Sequence, residues 1–269
     1  MNAAATEVPP PRDDAFLARF LDIWGGALAR WHRAEVRGLD DVPPAPALFV
    51  GNHNGLFWTA DTFIVAQAMM RRHGIERVPY ALGHERVVGQ RGFRRFFQRL
   101  GGVRAHPDAA AALLQSGRDL VVYPGGDLDV MRPSSRRDEV IFEGRRGFAR
   151  LALRTGVPIV PIASVGAHDV ALVLNDLRPL AEALGIRRHM RIATWPLMLS
   201  FPLGLTLGPT PFIGYPSRIL IEVLPAIEFE RTGPEAAADD AYVFACAARV
   251  QAALQHAMTR LADERRHRP

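Results

Sequence analysis

Short apolar runs alternate with helical patterns along most of this chain of 269 residues. The runs ALFVG, DLVVY and VPIVPIAS are rich in branched apolar residues and are bounded by glycine, proline or polar residues, as buried strands are. Between them, DTFIVAQAMMRRHG and RRGFARLALRTG repeat apolar residues at helical spacing. Strands that alternate with helices form mostly parallel sheets, because each helix returns the chain to the starting edge. The sequence therefore predicts an α/β sandwich with a mostly parallel central sheet flanked by helices.

The composition fits one large domain inside the cell. Hydrophobic residues make up 48% of the chain, which is enough to fill a core of this size. Cys246 is the single cysteine, so an internal disulfide and a cysteine zinc cluster are both excluded, and the histidines lack metal-ligand spacing. The N-terminus MNAAATEVPPPRDD does not have the pattern of a signal peptide. We predict a leader and amphipathic helix over residues 1–39 and a domain over residues 40–269, in the cytoplasm and without a metal.

The positive charge of the chain favours a polyanionic surface. All 33 basic residues are arginine, and the formal net charge is +5. Two predicted amphipathic helices, over residues 14–37 and 91–102, carry arginine beside phenylalanine or tryptophan. Such helices bind membrane surfaces or dock on their own core, and both alternatives stay open. No aromatic stacking motif supports nucleic-acid binding, so we expect peripheral association with the cytoplasmic face of a membrane.

Residues 192–216 form an uncharged segment of nearly membrane-spanning length. A spanning helix needs an unbroken backbone ladder, and four prolines interrupt this one: Pro196, Pro202, Pro209 and Pro211. We predict a loop or short helices that lie at a membrane interface or cover an apolar pocket. A buried irregular segment is the alternative.

Polar residues follow the predicted strands at residues 53–61, 123–129 and 164–169. In open α/β sheets, such positions line the ligand crevice. His53 could act as a base if Asp61 fixed its tautomer, although a strand-end histidine and a helix N-terminal aspartate explain the spacing equally well. The glycine turn of YPGGDLD could bind a phosphate or an oxyanion, or serve only as a turn.

Read together, the blocks NHNGLFWTAD, LGGVRAH, VVYPGGDLD and GVPIVPIASVG resemble the glycerolipid acyltransferase superfamily, in its branch near the diacylglycerol acyltransferases. The most specific block is RRGFARLALRTGVPIVPIASVGAHD, and the resemblance covers residues 40–230. It implies the α/β sandwich of the glycerol-phosphate acyltransferases. It also implies transfer of an acyl group from acyl-CoA or acyl carrier protein to a lipid hydroxyl, such as that of a lysophospholipid, monoacylglycerol or diacylglycerol.

The resemblance also assigns roles to individual residues. It makes His53 the general base and Asp61 its partner, without a covalent intermediate or a tightly bound cofactor. The substrate-binding residues that it implies are Asn52, Asn54, Arg104, Tyr123, Pro124, Gly125, Gly126, Asp129, Arg145 and Arg146.

Three features depart from the common family pattern. Seven residues separate His53 from Asp61, where four are usual. Gly125 replaces a glutamate and Asp129 follows as the acid, while Arg104 only roughly matches a phosphate-binding arginine and His106 is its rival. A non-catalytic lipid-binding protein on the same scaffold is therefore one alternative. A lipid ester hydrolase is another, although the chain has no Gly-x-Ser-x-Gly motif and comes nearest to it at Ser164.

Overall fold

The computed structural model describes residues 12–83, 92, 94–186, 188 and 192–267. Within them the strands are β1 Glu35–Arg37, β2 Leu48–Gly51, β3 Tyr80–Gly83, β4 Gly102–Arg104, β5 Leu120–Val122, β6 Ile159–Val165, β7 Leu172–Asn175, β8 Leu197–Ser200, β9 Gly204–Leu207 and β10 Leu220–Val223. Seven of them form a central sheet in the order β1-β10-β6-β2-β5-β3-β4, and β7, β8 and β9 form a small second sheet.

The central sheet is mostly parallel, as predicted. Strands β6, β2, β5, β3 and β4 pair in parallel from one to the next. Strand β10 runs antiparallel to β6, and β1 lies parallel to β10 at the edge. The carboxyl ends of β2, β5 and β6 therefore lie side by side at one edge of the sheet.

Helices cover both faces of the central sheet. They are α1 Asp14–Phe20, α2 Gly26–Trp31, α3 Ala60–His73, α4 Arg94–Arg99, α5 Pro107–Gln115, α6 Gly126–Val130, α7 Gly147–Thr155, α8 Arg178–Ala183, α9 Pro234–Ala238 and α10 Asp240–His267. Successive strand residues point to opposite faces, so Phe49 packs with α2 and α3 while Leu48 and Val50 pack with α5, α7 and α10. The predicted α/β sandwich is confirmed.

The predicted N-terminal helix is shorter than expected and turns a different face to the core. It ends at Trp31, and residues 35–37 form strand β1. A π-helical turn over residues 21–25 joins α1 to α2 and adds a residue to that turn, which shifts the apolar register. Leu17, Leu21 and Leu28 are buried as a result, whereas Ile23, Trp24 and Trp31 are 67%, 40% and 49% exposed.

The second predicted amphipathic helix is described only in part, because Arg91 and Phe93 lie outside the described residues. Its described part is α4, where Phe96 packs edge-on against Phe16 and Phe20. These contacts join α4 to α1.

The uncharged segment at residues 192–216 forms strands, so the prediction of short helices is wrong. Strands β8 and β9 make an antiparallel hairpin that pairs through β8 with β7. Proline blocks a helix here but suits the hairpin, because Pro196 precedes β8 and Pro202 lies in the turn. Met198 is buried and Leu199 is exposed, in the alternation expected for one covered face. In the described part of the chain, no helix combines the length and apolarity needed to cross a membrane.

Candidate active site

Three strand ends meet where the polar blocks were predicted to lie. The Asn52 amide, directly after β2, donates to the Ser164 carbonyl oxygen at 2.9 Å and accepts from the Ser164 N–H at 2.9 Å. Asn52 is 1% exposed, so this double hydrogen bond is shielded from water. It anchors the start of the His53 loop to β6, and the role of Asn52 in this structure is to hold that loop.

His53 is half-buried and stacks against Tyr123, with ring centroids 4.8 Å apart. The Tyr123 hydroxyl lies 2.8 Å from Thr62 Oγ1, which fixes the tyrosine ring in turn. Burial lowers the pKa of His53 to about 4, and the nearby charge of Arg132 adds to this effect. The imidazole is therefore neutral at physiological pH, the state that can accept a proton.

Asp61 contacts Asn54 in place of the His53 ring. Asp61 Oδ2 accepts from the Asn54 side-chain amide at 2.9 Å, and Oδ1 accepts from the Thr62 N–H at 2.9 Å. His53 Nδ1 is buried and has no hydrogen-bond partner among the described residues. The expected hydrogen bond between Asp61 and the ring is thus not formed in this structure, while the catalytic roles of both residues stay predictions.

The longer spacing between His53 and Asp61 has a structural explanation. Gly55, with φ of 74°, and Leu56, with φ of 50°, turn the chain into a short 3₁₀ helix over residues 56–58. Asp61 then enters the first turn of α3 as a buried side chain beside Asn54. Burial raises the pKa of Asp61, and the hydrogen bonds from Asn54 and Thr62 oppose that rise.

Arg132 is a central residue of the site that sequence reasoning missed. Its side chain is 0% exposed and donates to the His53 carbonyl oxygen at 3.0 Å, to Asn54 Oδ1 at 2.8 Å and to Asp129 Oδ1 at 3.1 Å. Burial lowers the pKa of Arg132, and the charge of Asp129 raises it. The available sequence signal was an arginine three residues after Asp129, which is too common to indicate a buried ion pair.

Asp129 completes the network from the other side of the loop. It is 0% exposed, and its Oδ2 accepts from the His53 N–H at 2.5 Å. A Cβ added at Gly125 would overlap Asp129 Cβ and lie 2.5 Å from the Ile141 carbonyl oxygen. Glycine at position 125 therefore makes room for the Asp129 side chain. Burial raises the pKa of Asp129, while the Arg132 charge lowers it.

The remaining residues of the glycine turn stabilise the turn itself. Arg145 donates to the Gly125 carbonyl oxygen at 2.6 Å, to the Pro124 carbonyl oxygen at 3.3 Å and to Asp127 Oδ1 at 2.8 Å. The Gly126 N–H donates to the Tyr123 carbonyl oxygen at 3.2 Å. The turn therefore uses the Gly126 N–H as a donor, while the binding of a phosphate or an oxyanion by the amides of Gly125 and Gly126 stays a prediction.

Two arginines of the predicted set lie apart from His53. Arg104 is exposed at the end of β4, which is three strands from β2 in the sheet order. The Arg146 guanidinium lies over the Phe244 ring of α10, 5.8 Å from its centroid. His106, the rival of Arg104, caps α5 by accepting from the Asp108 N–H at 3.3 Å. A cluster of acidic, histidine or cysteine side chains suited to a metal is absent from the described residues.

The part of the chain that contains this network matches a known protein family. The family model described as Acyltransferase matches residues 33–165, which contain β1 to β6 and all the residues of the network. The chain belongs to the glycerolipid acyltransferase superfamily. A solved structure of this superfamily has the same fold. It is the 1-acyl-sn-glycerophosphate (LPA) acyltransferase PlsC from Thermotoga maritima, with a TM-score of 0.57, 14% identity, and coverage of 93% of this chain and 81% of that one.

Relatives in sequence include bacterial and animal members. An uncharacterized protein of Mycobacterium tuberculosis is 29% identical over 189 residues, which are 70% of this chain and 50% of that protein. The "DGAT1/2-independent enzyme synthesizing storage lipids" of Gallus gallus is 24% identical over 196 residues, or 73% of this chain and 55% of that protein. This chain therefore spans about half the length of the curated relatives that it matches.

Proposed function

We propose that this protein transfers a fatty acyl group from a thioester to the hydroxyl group of a lipid, with His53 as general base. His53 takes the hydroxyl proton while the oxygen attacks the thioester carbonyl carbon. The tetrahedral intermediate then collapses, the carbon–sulfur bond breaks, and the thiolate takes the proton from the imidazolium. The products are an ester and a free thiol. The neutral His53 at the meeting point of three strand ends carries this proposal.

The donor in this proposal is acyl-CoA or acyl carrier protein, and the acceptor is a glycerolipid. We favour monoacylglycerol or diacylglycerol over a lysophospholipid as the acceptor. The similarity to the Gallus gallus enzyme of storage-lipid synthesis supports this choice. The position of Arg104, three strands from β2, gives no support to phosphate recognition beside His53.

The proposal is tested by acyl transfer from radiolabelled palmitoyl-CoA to diacylglycerol, monoacylglycerol and lysophosphatidic acid. His53→Ala should lower kcat by about 10²–10⁴-fold, because it removes the base. The variant should retain the fold, because the His53 side chain is only half-buried. His106→Ala is the matched control, since His106 is an exposed helix-capping residue. Wild-type activity in a folded His53→Ala protein would contradict the base assignment.

The same assay separates the alternatives. A lipid-binding protein on this scaffold would bind the lipid mixture and release no free CoA. A hydrolase would release fatty acid from an ester lipid without any thioester. The hydrolase alternative lacks support because Ser164, the serine that comes nearest to the hydrolase motif, is 4% exposed and makes no hydrogen bond to a histidine of the described chain.

We also propose that the protein works at the cytoplasmic face of a membrane, through one apolar surface. The exposed residues of this apolar surface are Ile23, Trp24, Trp31, Phe57, Phe201, Leu203, Leu205 and Ile213. Their contacts support one continuous patch. Trp24 packs on Trp58, Trp31 donates to the Gly214 carbonyl oxygen at 3.0 Å, and the Ile213 N–H donates to the Phe201 carbonyl oxygen at 2.8 Å.

A lipid bilayer suits the composition of this apolar surface. Tryptophan prefers the boundary between lipid and water, and the exposed leucines can enter the acyl region. Arg30 and Arg33 are exposed beside Trp31 and can meet anionic headgroups. Phe57 belongs to the loop between His53 and Asp61, so the apolar surface reaches the edge of the candidate active site.

A further inference from the structure

Arg132 makes more hydrogen bonds than its ion pair with Asp129 requires. Besides Asp129 and the two groups of the His53 loop, it donates through Nε to the Arg136 carbonyl oxygen at 3.1 Å and through Nη2 to the Arg137 carbonyl oxygen at 2.6 Å. Its Nη1 also donates to the Asp129 carbonyl oxygen at 2.5 Å. All three nitrogens of the guanidinium are therefore used, and the planar fork has one orientation in this site.

These bonds join two segments that are far apart in sequence. One is the loop after β2, through the His53 carbonyl oxygen and Asn54 Oδ1. The other is residues 129–137, which comprise the end of α6 and the segment after it. The two acceptors in the first segment are the His53 carbonyl oxygen and the side chain of the next residue, so the guanidinium holds the chain directly after the His53 Cα.

Stability alone does not account for a charge at this position. Burying a guanidinium and a carboxylate costs solvation free energy that their attraction often fails to recover, and apolar replacements of such pairs are frequently neutral. The special property of this pair is its placement. Asp129 accepts from the His53 N–H while Arg132 donates to the His53 carbonyl oxygen, so both backbone polar groups of His53 are held.

The network also links Asp61 to the His53 backbone without a contact to the His53 ring. Asp61 accepts from Asn54 Nδ2, and Asn54 Oδ1 accepts from Arg132. A path of hydrogen bonds therefore runs from Asp61 through Asn54 and Arg132 to the His53 backbone. Asn54 is 1% exposed, so water does not compete for these bonds.

We propose that Arg132 is a positioning residue, whose guanidinium holds the His53 base in one orientation and links it to Asp61 and Asp129. This inference rests on the proposed role of His53 and adds a residue to it. The mechanism gives Arg132 no contact with the reacting atoms. Its loss should therefore lower kcat and leave KM nearly unchanged, because misplacement of a base acts on the chemical step.

Lysine and methionine variants separate the geometry of Arg132 from its charge. Arg132→Lys keeps the charge and loses the fork, and we expect kcat to fall about 10- to 100-fold with KM within about two-fold. Arg132→Met removes both the charge and the planar guanidinium, and we expect a larger fall in kcat. The pKa of His53 should also rise toward its usual value, because the variant lacks the nearby positive charge. The pKa is measured by NMR titration of the imidazole.

Arg154→Met is the matched control. Arg154 lies on α7, and its side chain pairs with Asp108 at the surface. This variant should keep the wild-type kcat, KM and His53 pKa. A folded Arg132→Lys protein with wild-type kcat would overturn the proposal, and so would a raised KM with unchanged kcat, because that result would place Arg132 in substrate binding.

Two further measurements cover the case in which the Arg132 variants do not fold. Asn54→Ser removes the link between Arg132 and Asp61, and the same fall in kcat at constant KM is expected. In the wild-type protein, a His53 pKa at or above about 6.5 would overturn the proposal. A protein that is inactive toward every lipid would contradict the proposed function. The NMR titration of His53 needs no turnover, so it would still test the role of Arg132 in such a protein.

Discussion

At the scale of single residues, the proposed reaction depends on a His53 imidazole that stays neutral. An ordinary histidine has a pKa of about 6.5, so a fraction of it is protonated at physiological pH and unable to act as a base. Burial and Arg132 lower the pKa of His53 to about 4. The neutral form therefore extends to lower pH than it would in an exposed histidine.

This shift leads to a prediction about the pH profile. A base that ionises near pH 4 stays unprotonated from about pH 6 to about pH 8, so kcat/KM should vary by less than about two-fold over that range. The measurement is kcat/KM for the preferred acceptor, with circular dichroism at each pH to exclude unfolding. An acidic limb with an apparent pKa near about 6.5 in folded protein would contradict the assignment.

At the scale of elements, the additional residues between His53 and Asp61 connect the candidate active site to the apolar surface. The 3₁₀ helix at residues 56–58 carries Trp58, whose indole N–H donates to His32 Nε2 at 2.9 Å. Trp58 also lies against Gly214, where a side chain would overlap the indole ring. The loop is thereby fixed to α2 and to the segment that follows the β8–β9 hairpin.

The β8–β9 hairpin should contribute to membrane binding through its exposed leucines. Leu203→Glu and Leu205→Glu replace side chains that are 54% and 63% exposed, so neither change should disturb the core. Each should weaken binding to phosphatidylglycerol vesicles about 10-fold or more, because a buried leucine contributes about 1.5–3 kcal/mol. Cosedimentation with vesicles measures the effect.

Phe244→Glu is the control for the hairpin variants. Phe244 is 59% exposed on α10, which covers the opposite face of the sheet from α2 and α3. Its replacement should leave vesicle binding unchanged. Equal loss in all three variants would favour a general charge effect over insertion of the hairpin.

At the scale of the whole molecule, the C-terminal helix completes a core that begins in the central strands. Helix α10 packs on β6 and α7. Val250, Leu254, Met258 and Leu261 are all 0% exposed within that core. The match to the family model ends at residue 165, so part of the core of this fold is supplied from outside it.

Truncating one of these side chains should destabilise the entire domain. Leu254→Ala is expected to lower the free energy of unfolding by about 2–5 kcal/mol, because it removes buried methyl groups and leaves a cavity. Urea denaturation measures the change, and Phe244→Ala, at an exposed position of the same helix, should cost far less. A loss below about 1 kcal/mol for Leu254→Ala would show that α10 is not part of the cooperative core.

The sequence by itself determined the fold class, the family and the position of His53 directly after a buried strand. Apolar periodicity records which residues are buried in strands and helices, and the ordered blocks from His53 to Ser164 follow strands whose carboxyl ends must meet in a parallel sheet. Pro202 also excluded a long helix in the uncharged segment. The pattern there did not distinguish a hairpin from a loop, because strand pairing depends on partners distant in sequence.

Only the tertiary structure decided which side chains meet around His53. We expected the Asp61 carboxylate to contact the His53 ring. It accepts a hydrogen bond from Asn54 instead, because the 3₁₀ helix at residues 56–58 determines where α3 begins. Arg132 has no motif of its own, and its partners lie 78 and 79 residues away in the chain. Hydrogen bonds between such distant segments leave no periodic trace in the sequence, since they depend on how the packed sheet brings the loops together.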